Sequence, residues 1–316
     1  MSKAQATLAA QNAARKRSSK QLRETVDAYT MLLPTILGVL IFFAVPLAIS
    51  FYLSFTNARI STPVSAARVV GLENYVNVFK DSNFYLAIRN TLIFSAATLV
   101  LSTVPALVIA VLLNEKLRGQ AFFRALFFIP VVASVVAVSL LWRYLLNIDF
   151  GFVNYTLSLV GLPRIPWLTS PDWALLSVIL VFSWKTIGYN MVIFLAGLQG
   201  ISRPLYEAAA IDGATRWQQF LRITVPMLSP TTFFILITTL INCLQIFDVP
   251  YALGYGRSTT IGPADSMLTV VPLLYREGFI SDHMGYASSL AWVLFIMIMA
   301  ITFLQFRISN RWVNYE

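Results

Sequence analysis

Apolar residues in this chain come in long runs rather than in the alternating pattern of half-buried strands. Such runs occupy Tyr29 to Phe55, Asn90 to Leu113, Phe127 to Trp142, Trp173 to Leu198, Met227 to Phe247 and Tyr286 to Phe306. Only Lys185 interrupts the fourth. Crossing about 30 Å of hydrocarbon takes roughly 20 helical residues, so the pattern predicts an all-α, polytopic membrane protein with six transmembrane helices. Residues 1–28 form a basic tail with too few apolar side chains for a core, and residues 29–316 form the membrane domain. The first run is too long for the core of a cleaved signal and no A-x-A site closes it, so it reads as a retained helix. Pro34, Pro46, Pro105 and Pro130 fall inside the runs and predict kinks. Kinks are tolerated in membranes where a neighbour or a water-filled cavity satisfies the freed carbonyls, which suits a transporter.

Composition agrees with the pattern. The chain is 58% hydrophobic and 12% charged, against roughly 25% charged in soluble domains. A net charge of +9 reflects topology rather than nucleic-acid binding, because Lys and Arg collect at the edges of the apolar runs. Six spans put both termini on one side. That side holds fourteen basic residues, six in the tail and the rest at Lys116, Arg118, Arg124, Arg203, Arg216, Arg222, Arg307 and Arg311. The other holds seven: Arg59, Arg68, Lys80, Arg89, Arg164, Arg257 and Arg276. The bias predicts cytoplasmic termini. On the outside, Gly71 to Phe84 reads as a short surface helix, and Pro163, Pro166 and Pro171 with Trp167 and Trp173 mark a turn-rich interfacial loop. A single cysteine, Cys243, excludes an intramolecular disulfide framework, and the lone His283 cannot supply a metal cluster. No G-x-x-x-x-G-K-[ST] phosphate loop is present; Lys185 and Thr186 follow Ser183 and Trp184, not glycines. Energy for transport would come from another chain or from an ion gradient.

The stretch from Ser202 to Pro230 is the long polar interruption of the second half. Ser202 is a candidate N-cap, with Pro204 in the first turn where its missing N–H costs nothing. Leu205, Ala208 and Ala209 share one side of this helix, and the small alanines permit close approach by a partner. Gly213 breaks it; a second helix over Arg216 to Ile223 carries Trp217, Phe220 and Leu221 on one apolar face, and Pro226 stops it. Read alone, this helix-turn-helix is either a docking surface or an ordinary interfacial helix pair. Its residues resemble the EAA loop of binding-protein-dependent ABC importer permeases: Glu207-Ala208-Ala209, then Gly213, then Ile223-Thr224-Val225-Pro226, with Val225 where leucine is usual. Y-E-A-A-A-I-D-G-A is similar to the carbohydrate and glycerol-3-phosphate permeases of the maltose-permease type. G-L-E-N-Y from Gly71, F-F-I-P to Pro130, W-K-T-I-G-Y-N-M to Met191, L-Q-I-F-D to Asp248 and M-G-Y-A-S to Ser288 extend the likeness over nearly the whole chain.

The resemblance implies a coupling loop, residues 202–226, seated in a cleft of a cytoplasmic ATPase through Glu207, Ala208, Ala209, Asp212, Gly213, Ile223 and Pro226. It also implies a second homologous permease, two ATPases that carry the ATP and Mg, an extracytoplasmic solute-binding protein, and residence in the bacterial cytoplasmic membrane. The expected substrate is a carbohydrate, with glycerol-3-phosphate or another polyol as the alternative. The candidate path combines Trp184, Lys185, Tyr189 and Asn190 of the fourth span with Thr239, Asn242, Gln245 and Asp248, whose spacing of three sets them along one helical stripe. In maltose-type permeases these two regions build the membrane sugar site. Asn, Gln and Thr also serve purely as interhelical glue, and Lys185 with Asp248 also reads as a structural ion pair. A gradient-driven carrier would want an intramembrane carboxylate relay, for which Asp248 is the one candidate. A membrane enzyme would want a His, Asp or Glu cluster at one interface.

Overall fold

The computed structural model describes residues 24–115, 119–254 and 260–313, and all regular structure among them is helical, apart from one isolated antiparallel bridge between Thr56 and Val69. The chain divides into two units, residues 1–53 and 54–316. The first contains one helix, α1 (Glu24–Leu53), none of whose apolar window is buried. Glu24 to Ala28, assigned above to the tail, are thus already helical, and residues 1–23 lie outside the described residues. A π turn at Leu40–Ala44 interrupts α1, with the Val45 N–H reaching back to the Leu40 carbonyl. It sits just before Pro46, which has no N–H for the preceding turn, so the widened register absorbs the proline without a break.

Besides two short 3-10 turns at Val64–Ala66 and Pro263–Asp265, the second unit holds twelve further α-helices among the described residues. In chain order they are α2 (Glu73–Val78), α3 (Ser82–Asn114), α4 (Gln120–Val132), α5 (Val135–Leu145), α6 (Phe152–Leu159), α7 (Pro171–Gln199), α8 (Arg203–Ile211), α9 (Arg216–Met227), α10 (Ser229–Leu244), α11 (Asp248–Leu253), α12 (Val270–Tyr275) and α13 (Met284–Ser309). With α1, the helices α3, α7 and α13 make four continuous apolar spans; the pairs α4–α5 and α9–α10 make two more if each is taken as one bent span. The third and fifth runs are therefore not the single helices that hydropathy suggested. The α4–α5 pair bends by 100° and the α9–α10 pair by 61°. Pro130 has already removed one rung of the α4 ladder when Ala133 and Ser134 turn extended, at ψ 143° and 130°. In the fifth run, Pro226 and Pro230 bracket the break at Leu228. Here too a π turn, Phe220–Thr224, runs up to the proline.

The second unit is built on α3 and α7, which pack along most of their length. Lipid tails are as apolar as leucine, so helices in a bilayer associate through close packing and interhelical hydrogen bonds rather than hydrophobic burial. Small buried residues are frequent on the two helices, among them Ala87, Ser95, Ser102, Ala106 and Ala110 of α3 and Ser183 of α7. Apolar residues fill two clusters, one around Phe84, Phe94, Val178 and Leu290 and one around Phe194, Leu198, Leu228 and Ile235.

Loops at the first end are tied by side chains to backbone. Asn74 of the G-L-E-N-Y stretch donates to the carbonyls of Ser54 at 2.9 Å and Thr56 at 2.8 Å. Gly285 of M-G-Y-A-S packs so close that a Cβ there would lie 1.9 Å from the Thr56 oxygen. Asp282, at φ 60°, accepts from the Ile60 N–H at 2.7 Å, the Ser61 N–H at 3.1 Å and the Ser61 hydroxyl. The Ser61 hydroxyl and N–H, with the Ile60 N–H, hold its carboxyl below the usual carboxylate range. A depressed folded value means the clamp contributes fully above the unfolded value, about pH 4, and is lost as pH falls through the folded one. Protection of the Ile60 and Ser61 amides, taken relative to their intrinsic exchange rates at each pH, is expected to be high at neutral pH and to fall below about pH 4. An Asp282→Ala variant should exchange fast throughout, and equal protection in that variant would discard the clamp.

Candidate functional site

The 100° bend between α4 and α5 leaves the last carbonyls of α4 without intrahelical donors. Lys185, midway along α7, donates from Nζ to the Val131 carbonyl at 3.1 Å. A cation is thereby set against the negative end of a helix, a favourable place for it. One turn further along α7 is Gly188, where a Cβ would lie 2.0 Å from the Phe127 oxygen. Lys185 and Gly188 therefore act on one face: the glycine lets the α4 backbone touch α7, and the lysine reaches its broken end.

The break opens into a cavity of about 510 Å³. Lys185, Thr186 and Tyr189 of α7 line it, with Asn242, Gln245 and Asp248 opposite and Val131, Val135, Phe182, Ile246 and Phe247 as apolar wall. Lys185 and Asp248 face this cavity together, with no ion pair between them; one of the three ammonium donors goes to Val131. Its chemistry is one cation, one carboxylate, two amides, a hydroxyl and a phenol against apolar surface, a lining with donors and acceptors of both kinds. A second hollow of about 500 Å³ runs along α13 and is almost wholly apolar, lined by Leu294, Phe295, Ile298 and Phe303 among others. Of these two, the first is where polar recognition groups converge. Among the described residues no His, Cys, Asp or Glu group is arranged to hold a metal.

Five of the eight residues named for the substrate path, Lys185, Tyr189, Asn242, Gln245 and Asp248, line one cavity. Asn190 and Thr239 are elsewhere, buried between helices: Asn190 Nδ2 lies 3.4 Å from both Ser102 Oγ and Thr239 Oγ1. Trp184 packs edge-on against Trp142 of α5 with ring centroids 5.4 Å apart. The single polar stripe expected from Thr239 to Asp248 is broken, because α10 ends at Leu244 and Gln245 and Phe247 leave helical geometry before Asp248 opens α11. Convergence on the cavity comes from the break, which swings Asp248 beside Gln245 and Asn242. Sequence reading did not find Phe247 or the Val131 carbonyl. L-Q-I-F-D held the first in plain view, whereas a backbone group leaves no mark in a sequence.

Lys185→Met is expected to cost about 1 kcal/mol, the lower end for a charged hydrogen bond because the lysine is part-exposed, and to lower uptake severalfold. Thermal melting of the purified protein and uptake into vesicles check the two separately. Native behaviour in both would remove Lys185 from the site.

At the other end, the Ser202 to Pro226 stretch forms α8 and α9 as the spacing predicted, with Ser202 extended at the N-cap position but making no side-chain cap bond. The turn closes as a Schellman motif: Gly213, at φ 80°, gives its N–H to Ala210 at 3.1 Å and Ala214 to Ala209 at 2.9 Å. Thr215 and Gln218 form a reciprocal capping box that starts α9. The T-x-x-Q spacing was a legible signal for it. Tyr206 and Thr224 join the two helices through a 2.8 Å hydrogen bond. Glu207, Ala208, Asp212 and Gly213 face outward with Leu205 and Ile211, the last 87% exposed, while Ala209, Ile223 and Pro226 are half-buried. Arg216 meets Glu115 at 3.3 Å, but both are well exposed and the pair adds little stability.

A helical membrane unit with two broken spans, a polar cavity at one break and an apolar helix face exposed at the end of the bundle is built as a transport subunit. The chain belongs to the family of binding-protein-dependent transport system inner membrane components, which matches residues 89–314. It is 36% identical over 294 residues to the lactose transport system permease protein LacF of Rhizobium radiobacter, covering 92% of this chain and 96% of that one. Identity to the sn-glycerol-3-phosphate transport system permease protein UgpA of Agrobacterium fabrum is 32% over 288 residues, covering 91% and 96%. Its fold matches a crystal structure of a bacterial alginate ABC transporter in complex with alginate pentasaccharide-bound periplasmic protein, with a TM-score of 0.77 and 27% identity over 92% of this chain and 96% of that one. The protein is an inner-membrane permease subunit of an ABC importer, not an enzyme.

Proposed function

We propose that this permease passes a carbohydrate across the cytoplasmic membrane, with both termini in the cytoplasm, as one of two homologous membrane subunits. Two ATPases holding ATP and Mg drive it, and an extracytoplasmic binding protein delivers the solute. The observation that carries the substrate class is the cavity at the α4 break, where amides, a phenol and an opposed lysine and aspartate meet aromatic wall. A neutral hydroxyl-rich solute matches that mixture. Glycerol-3-phosphate, which the relative UgpA transports by name, is the second reading, but the cavity sets the carboxylate of Asp248 beside its one lysine, which disfavours a phosphate. The exposed face of α8 is the ATPase contact, through Glu207, Ala208, Asp212 and Gly213, with Ala209, Ile223 and Pro226 bracing it from behind. The Arg216 to Glu115 contact supports the sidedness, since it joins two segments that the charge bias assigns to one side.

Reconstitution of the co-purified complex with its binding protein tests this. Uptake of labelled sugar that needs ATP inside the vesicle is the expected result. Isolation of a lone chain that moves solute on an ion gradient would replace this reading with a secondary carrier.

A further inference from the structure

Four aromatic rings run in unbroken contact from the cavity to the surface of the loop region between α10 and α13. Phe247 lines the cavity; its ring centroid lies 5.0 Å from Tyr251 and 5.2 Å from Tyr275. Tyr251 and Tyr275 are 5.4 Å apart, and Tyr275 lies 5.2 Å from Phe279, which is 58% exposed. Phe247 caps α11, Tyr251 lies in it, Tyr275 ends α12 and Phe279 belongs to the π turn Arg276–Ile280 that continues α12, so the row is made by tertiary packing.

Two of these contacts, Phe247 with Tyr251 and Tyr275 with Phe279, are stacked, with planes within 21° and 22° of parallel. Face-to-face carbon contact occurs at roughly 3.5 to 4 Å. Centroids 5.0 and 5.2 Å apart therefore mean rings slid sideways by several ångströms rather than stacked face on face; three of the four rings are half-buried and one is exposed, so none is sealed in the core. Burying the whole row would have made a better core. Rows of open π-faces suit a flat solute with aliphatic C–H on one side and hydroxyls on its rim, because they attract the C–H edges and tolerate sliding between equivalent platforms.

Resting on the carbohydrate reading above, we propose that Tyr251, Tyr275 and Phe279 form an approach track for a ring sugar, ending at Phe247 in the cavity. The track selects cyclic sugars over glycerol-3-phosphate, which has no ring face to offer.

The test uses the full importer with its binding protein in vesicles and labelled lactose, trehalose, maltose and glycerol-3-phosphate as probes. A Tyr275→Leu/Phe279→Leu double variant keeps apolar volume but removes two ring faces. Its uptake of the ring sugar carried by the native complex should fall by about fivefold, the scale of one aromatic contact. Tyr275→Phe/Phe279→Tyr keeps both faces and should stay within about twofold of native. Native uptake by the leucine variant overturns the track, as does an equal loss in both variants, which would point to packing or hydroxyl contacts. A native complex that carries glycerol-3-phosphate, or none of the sugars, overturns the carbohydrate reading and the track together. Loss seen only in the variants' profile leaves that reading intact.

Discussion

Gly188→Val should abolish uptake and strip the purified protein of much of its thermal stability. A Cβ at this position lies 2.0 Å from the Phe127 oxygen and 2.9 Å from its carbonyl carbon, both backbone atoms that no rotamer change can move. Valine adds two methyl groups beyond that Cβ. Helix α4 would have to retreat by more than an ångström. The 3.1 Å hydrogen bond from Lys185 to Val131 lies one turn away on the same contact face and would go with it. Overpacking of a tight interface costs about 1 to 3 kcal/mol, and here the freed carbonyl of a broken membrane helix adds to it. Gly188→Ala should show the same loss in milder form. Melting of the detergent-solubilised complex and vesicle uptake give the answer, and a valine variant with native melting would mean that α4 and α7 do not meet as described.

Glu207→Arg should behave in the opposite way, leaving stability untouched while uptake drops at least about tenfold, the effect of placing a like charge where an opposite one is expected in a partner cleft. Glu207 is exposed and makes no side-chain hydrogen bond or ion pair among the described residues. Gly213→Val acts on the same surface by another route. Its φ of 80° is a left-handed conformation that costs a non-glycine residue about 1 to 2 kcal/mol, and losing the Schellman turn would re-aim α8. Binding-protein-dependent ATP hydrolysis by the reconstituted complex should fall with uptake in both variants. If Glu207→Arg transports normally, the exposed face of α8 is not the contact.

Residues differ in how far the primary structure exposes their role. The Glu207 to Pro226 spacing announced the α8–α9 pair, and the turn at Gly213 formed where predicted, because caps and turns depend on a few neighbouring residues. Lys185 is visible as an anomaly in an apolar run, and the structural ion pair with Asp248 that stood as the alternative to a place on the substrate path is not formed. Its acceptor is a backbone carbonyl 54 positions away, exposed by a break that hydropathy averages over. Thr239 and Asn242 looked equivalent, and the packing of α10 against α7 separated them, one into the helix seam and one into the cavity.

The sequence by itself determined the class of protein, the number of apolar runs and the position of the exposed helix pair, since long apolar runs, charge bias and capping are local properties that add along a chain. Only the tertiary structure decided that two of the six runs are bent, which polar side chains share a cavity, and that four aromatic residues from two separate segments form one row. Those outcomes depend on which backbone surfaces can approach, set at Gly188 and Gly285 by contacts between residues far apart in the chain.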